Sequence, residues 1–382
     1  MTENFQEVKV ATTNDFEFGV NKQRNCTYRI YNQQYNHGLV VYIPGFGADL
    51  GSYTENFCKK ISDQYQIACL SVEYFCLYCR PEIGAEIEFE QEDLHNIAAI
   101  IQSSLGATYI ERLIHYTNTK NVALTATASL KPKKGEYQNF GILAALDIIN
   151  CLKDALGRFA LNRNNIILIG SSYGGYLANL VTKIYPGLIR AVFDNSSWAN
   201  PNLRYVVGRE LSLPELRANV TDKLIIHLFV KSPWTLKEGL PNSFAREKAA
   251  IRSFTQDQIQ QMASQGGLDT FYMFYHSIKD TIAPTSEKID MVRALVQYKY
   301  KHVYLEVMEQ QDVDGIFVKS LDHGLGLSMI TFFDRAYSQL QQAGVAFQAC
   351  EEHECIKYTC EQATYTFYLH EAPVRGVLDF NC

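Results

Sequence analysis

Short apolar runs alternate with stretches of helical periodicity along most of the chain. The apolar runs have the β-branched and aromatic content of strands that are buried on both faces. They lie at residues 39–43, 66–72, 166–169, 189–194, 270–275 and 302–308. Amphipathic helices are predicted at residues 53–64, 141–156 and 286–298. This alternation predicts a mostly parallel central sheet with helices on both faces.

Three stretches depart from this pattern. Residues 117–134 are rich in Thr, Asn and Lys, which favours a surface excursion. Residues 200–268 contain an apolar run at 224–230, a Pro-containing loop and a helical stretch at 244–262, as expected for a helical cap or lid insertion. Residues 341–382 predict an appended antiparallel piece, with strand candidates at 354–358 and 363–370. We therefore expect residues 1–382 to form one domain with an insertion and a C-terminal β extension.

Composition narrows the classes of function. The 382 residues are 47% hydrophobic. The net charge of −6 argues against binding to nucleic acid or to an anionic membrane. The chain begins without a signal-peptide pattern, and no apolar run has the length of a membrane span. A soluble, cytoplasmic protein is therefore expected, with its ten cysteines reduced.

The apolar run at 166–169 leads into Gly170-Ser171-Ser172-Tyr173-Gly174, followed by small residues and helix formers. A strand, a sharp turn and a helix around G-x-S-x-G form the nucleophile elbow of a hydrolase. A Ser at the tip of such a turn exposes its Oγ, and the flanking glycines let strand and helix approach each other. The sequence therefore predicts Ser172 as a nucleophile. An ordinary Gly-rich helix start is the alternative.

A nucleophilic Ser needs a general base and a carboxylate that orients the base. Asp280 follows the run at 270–275, and His323 follows the run at 302–308, which is the chain order Ser, Asp, His. His276 would reverse that order, because it precedes Asp280. We therefore predict Asp280 as the acid and His323 as the base, with Asp194 as the reserve acid.

An oxyanion hole requires two backbone N–H groups near the nucleophile. One is expected from Tyr173, directly after Ser172. The other is expected from Phe46, because the loop Pro44-Gly45-Phe46-Gly47 follows the buried run at 39–43. A purely structural Gly turn is the alternative for that loop.

These motifs together resemble the α/β-hydrolase superfamily of serine esterases, lipases, thioesterases and prolyl-oligopeptidase-like peptidases. The resemblance covers residues 38–330 and implies the α/β-hydrolase fold. Pro44 is a departure, since many esterases have His there. More narrowly, the 43–47 loop, the segment from Tyr74 to Arg80-Pro81, the 137–141 stretch and Asp322-His323-Gly324 resemble a bacterial family of this superfamily. Its genes tend to lie near flagellin-glycosylation and motility genes, which hints at a sugar-related substrate.

Tyr74 and Arg80 are the candidate substrate-binding residues, because they follow the strand predicted at 66–72. An Arg guanidinium binds carboxylates bidentately. A plain surface ion pair is the alternative role for Arg80.

Two cysteine patterns raise the question of a metal. Cys76-x-x-Cys79 lacks the second half of a zinc motif, and the Cys350, His353, Cys355 and Cys360 cluster has no common zinc-module spacing. No metal or organic cofactor is expected.

The sequence thus predicts a serine hydrolase that works through an acyl-enzyme, with a carboxylic-ester hydrolase favoured. Its substrate would be a small polar acyl compound, a carbohydrate being one option. A prolyl-oligopeptidase-like peptidase, an acyltransferase and a non-catalytic scaffold or accessory protein in motility or glycosylation are the alternatives.

Overall fold

A computed structural model describes residues 5–350 and 353–381 of the protein. The chain divides into two compact units. The first unit comprises Met1–Leu77, Gly141–Pro201 and Ala245–Cys382, and the second comprises Tyr78–Phe140 and Asn202–Phe244.

The first unit is built on an eight-stranded sheet, in which the strands lie in the order β1-β2-β4-β3-β7-β8-β11-β12. Strand β2 is antiparallel to both of its neighbours, and every other pairing is parallel. The strands are β1 (Phe5–Thr12), β2 (Arg24–Asn36), β3 (Leu39–Ile43), β4 (Ile67–Glu73), β7 (Ile166–Ser171), β8 (Ala191–Asn195), β11 (Phe271–Ser277) and β12 (His302–Met308). This order and these directions are those of the α/β-hydrolase fold, as predicted.

Helices cover both faces of this sheet. The helices of the first unit are α1 (Ser52–Tyr65), α4 (Ile142–Arg158), α5 (Tyr173–Ile184), α7 (Arg246–Ile251), α8 (Gln256–Gln265), α9 (Thr285–Gln297) and α10 (Met329–Gln342). Met273 and Tyr275 of β11 belong to a core cluster that includes residues of α1 and α10. The ring of Phe274, on the opposite face of the same strand, lies 4.9 Å from the ammonium of Lys288 on α9.

The central strands are buried on both faces, which explains their sequence pattern. Each residue of Leu39–Ile43 is buried, and so are Ile166 to Gly170 of β7. A strand with no exposed face needs apolar side chains at every position, so its sequence shows an apolar run without alternation. The parallel strands also end at one edge, where their following loops meet.

The second unit has its own sheet and core. Four strands lie in the order β5-β6-β10-β9. They are β5 (Glu86–Glu88), β6 (Leu124–Lys131), β9 (Leu216–Asn219) and β10 (Leu224–Val230), and the helices are α2 (Gln91–Gln102), α3 (Tyr109–Lys120) and α6 (Arg204–Val207). Buried residues of α2 and α3 form one apolar cluster with residues of β6 and β10.

This second unit differs from the predicted insertion. The prediction of a surface excursion at 117–134 is wrong, because Leu124–Lys131 pairs with both β5 and β10. The cap or lid was predicted at 200–268, whereas the second part of the unit ends at Phe244. Helices α7 and α8 within that range belong to the first unit. The second unit is assembled from two separate stretches of chain. The single domain with a cap or lid at 200–268 stays a prediction.

The C-terminal region forms a three-stranded antiparallel sheet of β13 (Cys355–Cys360), β14 (Ala363–Tyr368) and β15 (Arg375–Phe380). The sequence pattern indicated the first two strands and missed the third. Within residues 5–350 and 353–381, no helix combines the length and apolarity that crossing a membrane requires.

Candidate active site

Ser172 lies at a strained turn between β7 and α5. Its φ of 55° and ψ of −123° are uncommon for a residue with a side chain. The backbone N–H of Ser172 donates to the carbonyl of Asn195 at 2.7 Å, and its carbonyl accepts from the N–H of Tyr176 at 3.1 Å. Backbone hydrogen bonds on both sides therefore hold the strained turn, and the geometry is that of the predicted elbow.

The elbow glycines are required by close backbone approach. A Cβ at Gly170 would lie 2.3 Å from the carbonyl carbon of Gly174. A Cβ at Gly174 would lie 2.0 Å from the carbonyl oxygen of Ile43, and one at Gly45 would lie 2.8 Å from that of Ser171. The elbow thus packs directly against the end of β3 and the loop that follows it.

Gly174→Ala is expected to lower stability and activity together. The new methyl group would overlap the backbone of β3, which cannot move without disturbing its pairing with β7, and overpacking of this kind costs about 1–3 kcal/mol or more. Urea unfolding and hydrolytic rate measure the two effects. Gly157→Ala is the matched control, because a Cβ there meets nothing within 4 Å on helix α4. Equal stability of the two variants would contradict the packing argument.

The structure brings Ser172, His323 and Asp280 together. The distance from His323 Nε2 to Ser172 Oγ is 2.7 Å, and that from His323 Nδ1 to Asp280 Oδ2 is 2.8 Å. An ionised carboxylate only accepts, so Nδ1 carries the proton and Nε2 is the acceptor for the Ser172 hydroxyl. The three side chains form one chain of hydrogen bonds from the Asp280 carboxylate through His323 to the Ser172 hydroxyl, called the relay below.

Asp280 is held in its ionised form. Burial alone would raise its pKa, but the hydrogen bond from His323 and the N–H of Ala283 hold the pKa of this carboxyl below its usual value. Its Oδ1 accepts from the N–H groups of Ile282 and Ala283, each at 2.9 Å. With Oδ1 occupied by the backbone, Oδ2 is directed to His323.

His276 lies beside Asp280, and the imidazole bonded to Ser172 is that of His323. Its Nε2 is 2.8 Å from the carbonyl of Ala283 and 3.7 Å from Asp280 Oδ2. Burial and the nearby charge of Lys288 lower the pKa of this imidazole, which favours its neutral form. His276 therefore stabilises the turn that presents Asp280.

Asp194, the reserve acid, has other partners. Its Oδ2 accepts from Lys288 Nζ at 2.9 Å, from Ser197 Oγ at 2.6 Å and from Asn179 Nδ2 at 2.7 Å. The residue is buried beside Gly175 at the start of α5. Since His323 Nδ1 is bonded to Asp280, Asp194 belongs to a polar cluster under the elbow.

The loop after β3 lies against the elbow. The Phe46 ring stacks on the Tyr173 ring, with centroids 4.1 Å apart and planes at 13°. The Tyr74 hydroxyl donates to the carbonyl of Pro44 at 2.6 Å, and this hydrogen bond holds the loop to the end of β4. The Phe46 loop is thus in side-chain contact with the residue after Ser172, and the role of the Phe46 and Tyr173 N–H groups as oxyanion donors stays a prediction. Tyr74 is buried and supports the loop, and substrate binding by Tyr74 also stays a prediction.

The Trp198 ring lies near the rings of Phe46 and His323. Its ring centroid is 5.9 Å from that of Phe46 and 5.8 Å from that of His323. The indole N–H donates to the carbonyl of Ile282 at 2.7 Å, in the turn that holds the acid. Sequence reasoning passed over Trp198 and Asn195. The only sequence signal was their place, at the end of the apolar run at 189–194 and in the segment that follows it.

Arg80 is buried in the second unit, where it forms an ion pair with Glu215. Burial raises the pKa of Glu215, and the positive charge of Arg80 opposes that rise. The pair is internal, so the alternative of a plain surface ion pair is wrong. Substrate binding by Arg80 stays a prediction.

Arg80→Ala is expected to destabilise the second unit by about 3–5 kcal/mol, because it leaves the Glu215 carboxylate buried without its counter-charge. The double variant Arg80→Ala/Glu215→Ala should recover part of that loss. Lys131→Ala is the control, since Lys131 pairs with Glu86 at 3.5 Å on the surface and such pairs contribute about 0–1 kcal/mol. Chemical denaturation measures all three variants. A loss no larger than that of the control would contradict the importance of the buried pair.

Among residues 5–350 and 353–381, no group of three His, Cys, Asp or Glu side chains has a metal-binding arrangement. Cys76 and Cys79 are buried thiols, as are most of the other cysteines in these ranges. Glu351 and Glu352, which lie between Cys350 and His353 of the C-terminal cluster, and Cys382 lie outside the described residues.

A family model described as "Protein of unknown function (DUF2920)" matches residues 6–376. The chain belongs to this family. A search of curated proteins found no match. The link to flagellin-glycosylation and motility genes stays a prediction.

Solved structures similar to this chain include a peptidase and two esterases. Pyrococcus horikoshii acylaminoacyl peptidase (uncomplexed) is 12% identical, with a TM-score of 0.48, over 92% of this chain and 43% of the peptidase. The chain thus spans less than half of the peptidase's length. Thermogutta terrifontis esterase 2 is 10% identical, with a TM-score of 0.43, over 92% of this chain and 98% of the esterase. Est1E from Butyrivibrio proteoclasticus is 10% identical, with a TM-score of 0.40, over 88% and 99% of the two chains.

Proposed function

We propose that the protein is a serine hydrolase that acts through an acyl-enzyme on Ser172. The observation that carries the proposal is the continuous relay of two short hydrogen bonds, from Asp280 through His323 to the hydroxyl of Ser172. A Ser hydroxyl is a weak nucleophile until a neighbouring base accepts its proton. Here the base is within hydrogen-bond reach, and a carboxylate fixes its tautomer.

In the proposed mechanism, Ser172 Oγ attacks the acyl carbonyl while His323 Nε2 takes its proton. The resulting imidazolium is stabilised by Asp280. The carbonyl oxygen becomes an oxyanion, which the N–H groups of Phe46 and Tyr173 stabilise together with the positive end of the α5 dipole.

His323 then gives its proton to the leaving group, which departs as the tetrahedral intermediate collapses to the acyl-enzyme. A water molecule, deprotonated by His323, attacks the acyl carbon. The bond between Ser172 Oγ and that carbon then breaks, His323 returns the proton to Oγ, and the acid is released. All proton transfers run through one imidazole, so the reaction needs no cofactor.

Within this class we favour a carboxylic-ester hydrolase that removes a small acyl group from a polar substrate, with an acylated carbohydrate as the candidate. The family resemblance to proteins encoded near glycosylation genes motivates this choice. Ester hydrolysis also needs less help for the leaving group than amide hydrolysis, because an alkoxide is a better leaving group than an amide anion.

A panel of chromogenic substrates tests the proposal. Short-chain nitrophenyl esters should be hydrolysed by the wild-type protein and left intact by Ser172→Ala. Turnover of aminoacyl or peptidyl nitroanilides in place of the esters would identify a peptidase. Diversion of the acyl group to an added sugar would identify an acyltransferase, and no turnover of any substrate would favour a binding scaffold.

A further inference from the structure

Asn195, the last residue of β8, contacts both the nucleophile turn and the base loop. Its carbonyl accepts the N–H of Ser172 at 2.7 Å. Its side-chain Nδ2 donates to Ser171 Oγ at 3.1 Å and to the carbonyl of Gly324 at 3.0 Å. Ser171 precedes the nucleophile and Gly324 follows the base. One buried residue therefore joins the two loops that carry Ser172 and His323.

The orientation of the Asn195 amide is fixed by its neighbours. The Gly324 carbonyl only accepts, so the NH₂ end of the amide faces it. The Oδ1 end accepts from Ser196 Oγ at 3.1 Å, and the N–H of Ser196 donates to the carbonyl of Tyr275 on β11 at 2.8 Å. Both amide hydrogens and the amide oxygen thus have partners, in a residue that is 1% exposed.

The two loops depend on such a link. Ser172 and His323 are 151 positions apart in the chain, and their loops follow strands that are not adjacent in the sheet. Two strands, β8 and β11, separate β7 from β12 in the sheet, and Asn195 at the end of β8 is hydrogen-bonded to both loops. Loops are the most mobile parts of a fold, and proton transfer from Ser172 requires hydrogen-bond distance to His323.

We infer that Asn195 is a positioning residue, which holds the elbow and the base loop at the separation that the Ser172–His323 hydrogen bond requires. This inference rests on the proposed function. Asn195 touches neither the relay atoms nor, in this role, the substrate, and it acts through Ser171 and Gly324. Its loss should therefore slow the chemical step and leave substrate affinity nearly unchanged.

Inactivation by a fluorophosphonate separates these effects, since KI measures binding and kinact measures attack by Ser172. Asn195→Ala is expected to lower kinact by about 10- to 100-fold with KI unchanged, the loss typical of a small misplacement of reacting groups. Ser171→Ala removes only the elbow end of the link and should give a smaller loss. The double variant should be no slower than Asn195→Ala, because both changes break the same link.

Asn150→Ala is the control, because Asn150 is also a buried Asn with several hydrogen bonds, and it lies on α4 away from these loops. It should lose stability and keep its kinact. Wild-type kinact in a folded Asn195→Ala protein would overturn the inference while leaving the proposed function standing. If Asn195→Ala does not fold, Ser171→Ala decides, and a wild-type kinact there overturns the inference as well. A wild-type protein that is not inactivated at all overturns both.

Discussion

His323→Ala should abolish turnover, with kcat falling by about 10⁶-fold, the size of loss seen when the base of a Ser–His–Asp relay is removed. The reason is geometric, since His323 Nε2 is 2.7 Å from Ser172 Oγ and is the proton acceptor of the relay. Without it the hydroxyl keeps its proton and attacks poorly. Initial rates with a nitrophenyl ester measure the loss, and a fold check by circular dichroism accompanies them.

His37→Ala is the control for this prediction, because His37 is exposed in the turn between β2 and β3. Its rate should equal that of the wild type. Residual activity in His323→Ala above one-hundredth of the wild type would exclude His323 as the general base.

Asp280→Asn should lower kcat by about 10⁴-fold and leave the fold intact, as loss of the orienting carboxylate does in such relays. The Asn side chain is isosteric, so its Oδ1 can still accept from Ile282 and Ala283. The NH₂ group would then face His323 Nδ1 and favour the tautomer in which Nε2 carries the proton. In that tautomer His323 cannot accept the proton of Ser172.

The variant Asp194→Asn tests which of the two carboxylates, Asp194 or Asp280, acts as the acid. It should destabilise the protein, because Lys288 is buried beside Asp194 and would lose its counter-charge. Activity per folded molecule should stay well above that of Asp280→Asn. The reverse ranking of the two variants would assign the acid to Asp194.

The lowered pKa of Asp280 also predicts how stability depends on pH. A carboxyl whose pKa is lower in the folded state stabilises the protein above its unfolded pKa of about 3.9, and that stabilisation is lost as pH falls through the folded pKa. Asp280→Asn removes this contribution. The difference in unfolding free energy between pH 6 and pH 3 should therefore be smaller in the variant than in the wild type, as denaturation at each pH would measure. An equal difference would contradict the assigned shift.

The candidate site was predictable because its residues follow, in chain order, strands with strong patterns. Strands buried on both faces need unbroken apolar runs, and the chemistry follows directly where the run stops, as at Ser172. The chain order Ser, Asp, His then left few candidates for the acid and the base beside Asp280 and His323. The fold followed from the same alternation of buried strands and helices.

The second unit was missed for a physical reason. Strand β6 alternates Thr and Ser with Ala, and small polar residues are also common in loops, so its sequence favoured a surface excursion. Its burial comes from pairing with β10, which is about 100 positions later in the chain. Local pattern carries no information on such a partner. The buried ion pair of Arg80 was not readable from the local sequence either, since Glu215 lies 135 positions later in the chain.

Asn195 and Trp198 escaped prediction because their roles arise from contacts across the sheet. An Asn at the end of a strand is common in sequence, and only the folded chain brings Ser171 Oγ and the Gly324 carbonyl to its amide. Residues of this kind can be identified only when the three-dimensional positions of the loops are known.

The proposed function requires Ser172 to be an activated nucleophile. Intact-mass measurement after fluorophosphonate treatment, followed by peptide mapping, tests it directly. The predicted result is a single adduct on Ser172 in the wild type and none in Ser172→Ala. An unmodified wild type, or an equal adduct in Ser172→Ala, would contradict it.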